Sequence, residues 1–436
     1  MSLCLSRRTL LGASVALPFA ARAQNFDTDI VIIGAGAAGF GAAAACRASK
    51  KSYVILEARE RIGGRVFTDR SLGLPFDAGA FYIHWAERNP WAKIARDLQI
   101  EAVDDSTLPR GAWMRFEKGE RVNSASRVRN FGEISRRFDD DPARVPDISF
   151  TDHIADNPDL LPGVRGMARL SLGEEPEQIS AKDYARLWSG DDYVVPQGYG
   201  TLLERFGSDL NVKLSRPVRE IKWNGAGVEV VSKAGTIKAR AAIITVPVNV
   251  LAKGVITFTP DLPATTQEAL HGLGMGALSK IALRFSGNRF GLPQGTNLFD
   301  EWGDGAGLAL EFWPFDRDLV IGMLGGDFAR SFLARSERDV IGATVERLAR
   351  LLGEDVAKSF VAGSVHAWAT DPWSLGCYSY ARPGQAGARA KLAEPVAERL
   401  YFAGEASAQL NGDFGPAMTA GGAYLAGQAA VMAVRL

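Results

Sequence analysis

The chain has 436 residues, 47% hydrophobic and 23% charged, enough for a large core and two or three domains at roughly 150 residues each. Fifty Lys and Arg balance fifty Asp and Glu, so no basic surplus points to nucleic acid and no like-charge run forms a tail. Three Cys and four His, with no metal-ligand spacing among them, make neither a disulfide framework nor a metal site.

The first 23 residues read as separate from the fold. Ser6-Arg7-Arg8-Thr9-Leu10-Leu11 is similar to a twin-arginine export signal. It runs into a short apolar stretch, Leu10 to Ala20, and then Ala21-Arg22-Ala23, an A-x-A cleavage site before Gln24. The stretch falls short of the ~20 residues a spanning helix needs. The expectation is a signal over 1–23, no membrane anchor, and a mature protein that is periplasmic or secreted.

Asp29-Ile30-Val31-Ile32-Ile33 is the short apolar, β-branched run that a buried parallel strand requires. Gly34-Ala35-Gly36-Ala37-Ala38-Gly39 follows, then a helix-forming stretch from Phe40 to Ser49, a strand from Tyr53 to Leu56, and an acid, Glu57. This strand–turn–helix–strand unit, with its G-x-G-x-x-G turn, is of the dinucleotide-binding kind. Gly34 serves the tight turn, Gly36 lets the backbone approach a pyrophosphate, and Gly39 lets helix and strand pack closely. The helix N-terminus offers N–H groups and its positive dipole end to the phosphates. Glu57 lies 18 residues past Gly39, where a carboxylate accepts bonds from ribose hydroxyls and repels a 2′-phosphate. The fingerprint alone does not separate NAD from FAD.

The continuation does so by resemblance. Glu57-Ala58-Arg59-Glu60-Arg61-Ile62-Gly63-Gly64-Arg65-Val66 is similar to the extended motif of the flavin-dependent amine oxidases, the family of monoamine and polyamine oxidases. The resemblance implies FAD, held by Glu57, Arg59, Gly64 and Arg65, with the Gly-Gly-Arg wrapped around the pyrophosphate and ribityl chain. Arg65 would set a fixed cationic fork beside two phosphates. Asp77-Ala78-Gly79-Ala80 resembles the segment under the flavin ring, which assigns Gly79 and Ala80 to the cofactor. Gln197-Gly198-Tyr199-Gly200-Thr201-Leu202 resembles the return of the chain to the FAD domain. Arg216-Pro217-Val218-Arg219-Glu220-Ile221 and Ala242-Ile243-Ile244-Thr245-Val246-Pro247 read as further strands there, with the backbone of Val218 against adenine. Leu400-Tyr401-Phe402-Ala403-Gly404-Glu405 is similar to the family's last FAD-binding strand, bringing in Gly404 and Glu405. A small-residue helix beyond Gly415, entered through Thr419, would close over the isoalloxazine.

The implied fold class is α/β, discontinuous in sequence. A Rossmann-like FAD-binding domain is assembled from 24–85, 197–265 and 392–436. An α+β substrate-binding domain, from 86–196 and 266–391, covers the flavin. A helical segment at 335–352 and strand-like runs at 308–313 and 319–324 suit such a lid, and ligands favour interfaces of this kind.

The implied reaction oxidises a primary or secondary amine to an imine by hydride transfer to flavin N5, with reoxidation by O2 giving H2O2. The reacting amine must be neutral, so the pocket should disfavour ammonium through burial and aromatic walls. Lys280, in Leu273-Gly274-Met275-Gly276-Ala277-Leu278-Ser279-Lys280-Ile281, matches the family lysine that holds a water against N5 and assists reoxidation. As a strand residue opposite Ile281 and Leu283 it also reads as a salt-bridged lysine, and periodicity does not decide. Tyr378, in Gly376-Cys377-Tyr378-Ser379-Tyr380, resembles one wall of an aromatic cage around the amine. The second wall falls on Phe414 or on Thr419, because Asn411-Gly412-Asp413-Phe414-Gly415-Pro416 is longer than usual in the family. His84, in Phe81-Tyr82-Ile83-His84-Trp85, resembles the polyamine oxidase segment more than the monoamine one. His84 has two readings: a neutral imidazole there would bond a substrate nitrogen, and an isolated histidine also reads as structural.

Cys377 has two readings: a thioether to the flavin 8α-carbon, as in the monoamine oxidase segment, or a small buried packing residue. Two alternatives to the oxidase stay open. One is an amine dehydrogenase or desaturase of the same superfamily that passes electrons to a periplasmic carrier. The other is a flavin-binding protein without turnover. Oligomeric state is open as well. The export reading has a direct check: Arg7→Lys with Arg8→Lys should retain folded, yellow protein in the cytoplasm, and undiminished periplasmic activity in that double variant would sink the assignment.

Overall fold

The computed structural model describes residues 25–123, 125–138, 141–303, 306–408 and 415–435. The expected export segment and Phe414 lie outside the described residues.

The run Thr28–Ile33 becomes the centre of an eight-stranded sheet. It pairs in parallel with Tyr53–Leu56 on one side and with Gly235–Ile244 on the other. Val212–Lys213 extends the first edge in parallel, and Leu400–Phe402 pairs in parallel with the end of Gly235–Ile244. Val228–Ser232, Val218–Lys222 and Thr257–Thr259 complete the other edge. Ile30, Val31 and Ile32 have no exposed surface. Ile30 and Ile32 pack on one face with the helix Ala37–Ala48, while Val31 and Ile33 join the core on the opposite face. A parallel strand covered on both sides needs this unbroken apolar run. The helix expected from Phe40 already starts at Ala37, with Gly36 as its N-cap, because the glycine turn itself delivers the chain into helical geometry. It crosses the small-residue helix Ala420–Ala433 so closely that a Cβ on Gly41 would sit 1.9 Å from the Tyr424 carbonyl oxygen.

A second sheet runs in the order Phe360–His366, Ser279–Phe285, Leu319–Leu324, Ala306–Phe312, Thr296–Gly303, Trp113–Glu117, Glu120–Arg121. Its pairs are antiparallel except Thr296–Gly303 with Trp113–Glu117. One face, carrying Ile281, Leu283, Leu310 and Phe312, packs on the helix Glu337–Leu352 through Val340, Val345 and Leu348. On the other face Ala282 and Ile321 pack against Leu72, Phe76 and Ala78 of the cofactor half. Strands of the first sheet come only from 24–85, 197–265 and 392–436, and those of the second only from 86–196 and 266–391. None of the described helices is long and apolar enough to cross a membrane.

Candidate active site

A cavity of about 620 Å³ lies between the two sheets, reaching from the glycine turn to the face that carries Lys280. Gly34 and Gly39 are required by the protein's own packing. Gly34 has φ +111° with Thr245 Oγ1 2.5 Å from where a Cβ would stand, and a Cβ on Gly39 would lie 2.0 Å from the Gly34 carbonyl oxygen. Gly36 is different. Its φ is −90°, and a Cβ there would meet no protein atom nearer than 3.9 Å; at Gly404 none lies within 4 Å. Both line the cavity, so the space a side chain would fill is open to a ligand that approaches the backbone. Gly36 also begins a helix with no side-chain cap and no acid in its first turn, which turns a positive helix end on the cavity. Glu57 stands beside it, its Oε2 accepting from the Ala35 N–H and its Oε1 from the Arg59 N–H, both at 2.8 Å. Phosphates at the turn and ribose at Glu57 fit this cradle.

Two arginines divide the remaining work. Arg65 donates to the Cys377 carbonyl at 2.7 Å and to Glu405 Oε1 at 3.0 Å. Arg59, expected on the cofactor, commits its guanidinium to Asp371 (2.8 and 2.6 Å) and to Ser374 Oγ (2.9 Å). It lines the cavity while tying the 371–377 loop to the glycine turn. Glu405 accepts from Ser379 Oγ (2.6 Å), and Arg389 bonds that same hydroxyl (2.6 Å) while pairing bidentately with Asp183 (2.8 and 2.9 Å). Asp183, Arg389 and Glu405 are all buried. Charges buried at this depth are tolerated because each has an opposite partner, and removing one partner of such a pair costs on the order of 3–5 kcal/mol.

Lys280 sits on the strand Ser279–Phe285, buried, and its Nζ donates to the carbonyls of Asp77 (2.7 Å) and Gly79 (3.0 Å). The Phe81 ring centroid is 5.4 Å from Nζ. Two carbonyls take two of the three ammonium protons, leaving a third for the cavity. Burial pushes the Lys280 pKa down, against the nearby charges of Asp77 and Glu311, and pushes both of those carboxyls up. The salt-bridge reading of Lys280 therefore gives way to carbonyl bonds. The Trp368 indole donates to the Ala78 carbonyl at 2.9 Å, so three successive carbonyls are held. A Cβ on Gly79 would lie 1.9 Å from the Arg65 carbonyl oxygen, which keeps that segment pressed against the Gly-Gly-Arg loop.

Tyr378 lines the cavity and donates its hydroxyl to the Ser171 carbonyl at 2.5 Å; burial pushes its pKa well above the usual phenol value. His84 lines the cavity too, with Nδ1 2.9 Å from Asp192 Oδ1. With Nδ1–H given to that carboxylate, a neutral ring keeps Nε2 as an acceptor. Thr419 caps the last helix, accepting from the Gly422 N–H at 2.9 Å, and lines the cavity with Gly64, Ala80, Val218 and Cys377. Thus the cavity gathers Gly34, Gly36, Glu57, Gly79, Lys280, Gly404 and Glu405 from across the chain, whereas Gly39 packs behind the turn.

Glu311 was not anticipated from the sequence. Its signal was one charge in the apolar run Ala306-Gly307-Leu308-Ala309-Leu310-Glu311-Phe312, read as an ordinary lid strand. Lys280 pairs with Met323, Met323 with Ala309, and Glu311 lies two residues past Ala309. Glu311 and Lys280 therefore share one face of the sheet, two strands and two residues apart, or about 12 Å between Cα atoms from ordinary strand spacings. Phe315, Arg317 and Trp188 line the same cavity and were also missed.

This architecture sets a dinucleotide cradle against a buried lysine on a second sheet. Residues 181–435 match the model of the flavin containing amine oxidoreductases, and residues 32–98 match that of an NAD(P)-binding Rossmann-like domain. The chain belongs to the flavin containing amine oxidoreductase family. It is 29% identical to polyamine oxidase 4 of Oryza sativa subsp. japonica, over 92% of this chain and 88% of that protein. It is 27% identical to human lysine-specific histone demethylase 2, over 92% of this chain but 52% of that one. Two solved structures share the fold. Cyclohexylamine oxidase from Brevibacterium oxydans IH-35A is 22% identical with a TM-score of 0.78, over 94% of this chain and 98% of its own. Putrescine oxidase bound to putrescine is 19% identical with a TM-score of 0.78, over 93% and 98%.

Replacing the ammonium tests the Lys280 site. Lys280→Met should keep the flavin bound and slow amine oxidation or flavin reoxidation at least about tenfold, as a mispositioned reacting group does. Wild-type rates in both half-reactions, measured by stopped flow, would remove Lys280 from the chemistry.

Proposed function

We propose that the protein is an exported FAD-dependent oxidase of a di- or polyamine, using O2 as acceptor and releasing H2O2. The observation that carries the reading is Glu311, a partly buried acid in the same cavity and on the same sheet face as Lys280. A flavin takes the hydride equivalent from the carbon next to nitrogen. The reacting nitrogen must be neutral, and the aromatic walls formed by Phe81, Trp188, Phe315 and Tyr378 favour the neutral form. His84 accepts a hydrogen bond from a substrate nitrogen through Nε2, with Asp192 holding the ring. A second nitrogen, still ammonium, sits at the Glu311 carboxylate. The names of the relatives agree in kind: polyamine oxidase, and putrescine oxidase bound to putrescine. The glycine turn and Glu57 make the flavin a dinucleotide, FAD.

Glu311 binds a cation only when ionised, and burial raises its pKa. Its contribution is therefore present above that raised pKa and lost as pH falls through it, at a higher pH than an ordinary carboxylate would show. A charge-assisted hydrogen bond of about 1.5–3 kcal/mol corresponds to roughly 10–150-fold. Glu311→Gln should therefore raise KM for putrescine at least about tenfold, leave butylamine within about twofold, and flatten the acid limb of kcat/KM. Equal loss with both amines would overturn the diamine reading.

FAD is held here without a covalent bond. Cys377 is buried and its thiol is pushed up to about 12 by desolvation, so the thiolate needed for bonding is scarce. Its backbone is fixed on both sides, N–H to the Gly276 carbonyl at 2.8 Å and carbonyl to Arg65, which suits a packing residue. Acid precipitation should leave the yellow colour in the supernatant. A coloured pellet that Cys377→Ser bleaches would establish the thioether instead.

A further inference from the structure

The cavity wall beside Phe81 includes a turn whose backbone runs against side-chain preference. Trp313, Phe315 and Asp316 have φ of 60°, 53° and 60°, three non-glycine residues in the left-handed region within four positions. Such conformations persist only where surrounding structure over-determines them, and they concentrate at functional sites. Here the ties are explicit. The buried Trp313 donates its indole N–H to the Leu292 carbonyl at 3.1 Å. Arg289 bonds the Asp316 carbonyl (2.9 Å) and Asp318 Oδ1 (3.1 Å), and lies 5.4 Å from the Trp313 ring centroid. Arg317 reaches across to the cofactor half at the Pro75 carbonyl (3.0 Å) and also donates to the Pro196 carbonyl (2.5 Å), where the chain is about to re-enter that half.

The outcome of all this bracing is the place of one ring. Phe315 lines the cavity, its centroid 6.2 Å from Phe81 and 5.0 Å from the Arg317 guanidinium carbon. Phe81 in turn lies against the Lys280 ammonium. Four residues before Phe315 on the same chain segment is Glu311. Phe315 thus lines the cavity one ring away from Lys280, on an anchored turn that continues the strand carrying Glu311.

We propose that Phe315 is a specificity-determining residue, setting the width of the slot between Lys280 and Glu311 so that an unbranched alkyl chain passes and an aryl substituent does not. This rests on the diamine reading above. Removing the ring should widen the slot and give up its contact with the Arg317 guanidinium, while the hydrogen bonds of Trp313, Arg289 and Arg317 that hold the turn do not use the ring.

The test uses the holoenzyme with putrescine and N-benzylputrescine. Phe315→Ala should raise the ratio of kcat/KM for N-benzylputrescine over putrescine at least tenfold, with the flavin absorbance spectrum unchanged. Phe315→Leu should raise it less. A ratio within twofold of wild type in both variants would overturn the proposal, and should Phe315→Ala lose its flavin, Phe315→Leu decides by the same criterion. A wild-type enzyme whose flavin neither amine reduces anaerobically would overturn the diamine reading and this inference with it. Reduction of the wild type with an unmoved ratio would overturn this inference alone.

Discussion

A buried ammonium joins the two halves of this molecule. Lys280 belongs to the second sheet, and its Nζ is held by carbonyls of Asp77 and Gly79, which belong to the cofactor half. Taking a charge out of water is costly unless it is fully bonded. The ammonium therefore fixes the separation of the sheet from the 77–79 segment, since any drift would strand it without partners. Ala282 and Ile321 pack against Phe76 and Ala78 on the same face and add apolar contact to that constraint. The cavity is the space left beside this junction.

A second set of charges fixes the floor. Arg65, Glu405, Arg389 and Asp183 alternate in sign and are linked through Ser379. These residues come from three distant stretches of chain, around 65, 183 and 379–405, and each satisfies a neighbour that would otherwise be a lone buried charge. The arrangement explains why Arg65 has a fixed direction beside the cavity: Glu405 and the Cys377 carbonyl take its donors on one side. Arg59 does the corresponding task for the 371–377 loop through Asp371. Much of what looks like cofactor binding in the motif is positioning of the loops that would touch a cofactor.

The legible parts were those where local pattern and global fold agree. The run Ile30 to Ile33 dictates a strand buried on both faces, and Gly34, Gly36 and Gly39 dictate the turn that follows. Even there, one spacing hides different reasons: Gly34 and Gly39 answer to protein packing, Gly36 to open space. Lys280 was placed by its motif, but its partners were illegible because Asp77 and Gly79 offer backbone carbonyls, which carry no sequence signal. Glu311 was overlooked for a related reason. A single acid in an apolar strand reads as a solvent-facing residue until the pairing of three strands puts it on the face of Lys280. The left-handed turn at Trp313 to Asp316 was equally hidden, since no glycine or asparagine marks it.

That pairing has a geometric consequence. Lys280 and Glu311 stand on one sheet, so the distance between their Cα atoms is set by strand spacing and pleat and not by a hinge or a loop. Cross-strand separation and rise per residue vary by only a few tenths of an ångström in regular sheet. The backbone positions of these two charged residues are therefore fixed by the sheet, whereas the width of the cavity depends on which side chains intrude from elsewhere. Phe81 intrudes from the cofactor half and Phe315 from the turn beyond the strand that carries Glu311. The spacing of the two Cα atoms thus belongs to the sheet, whereas the intruding rings are carried by segments outside its strands.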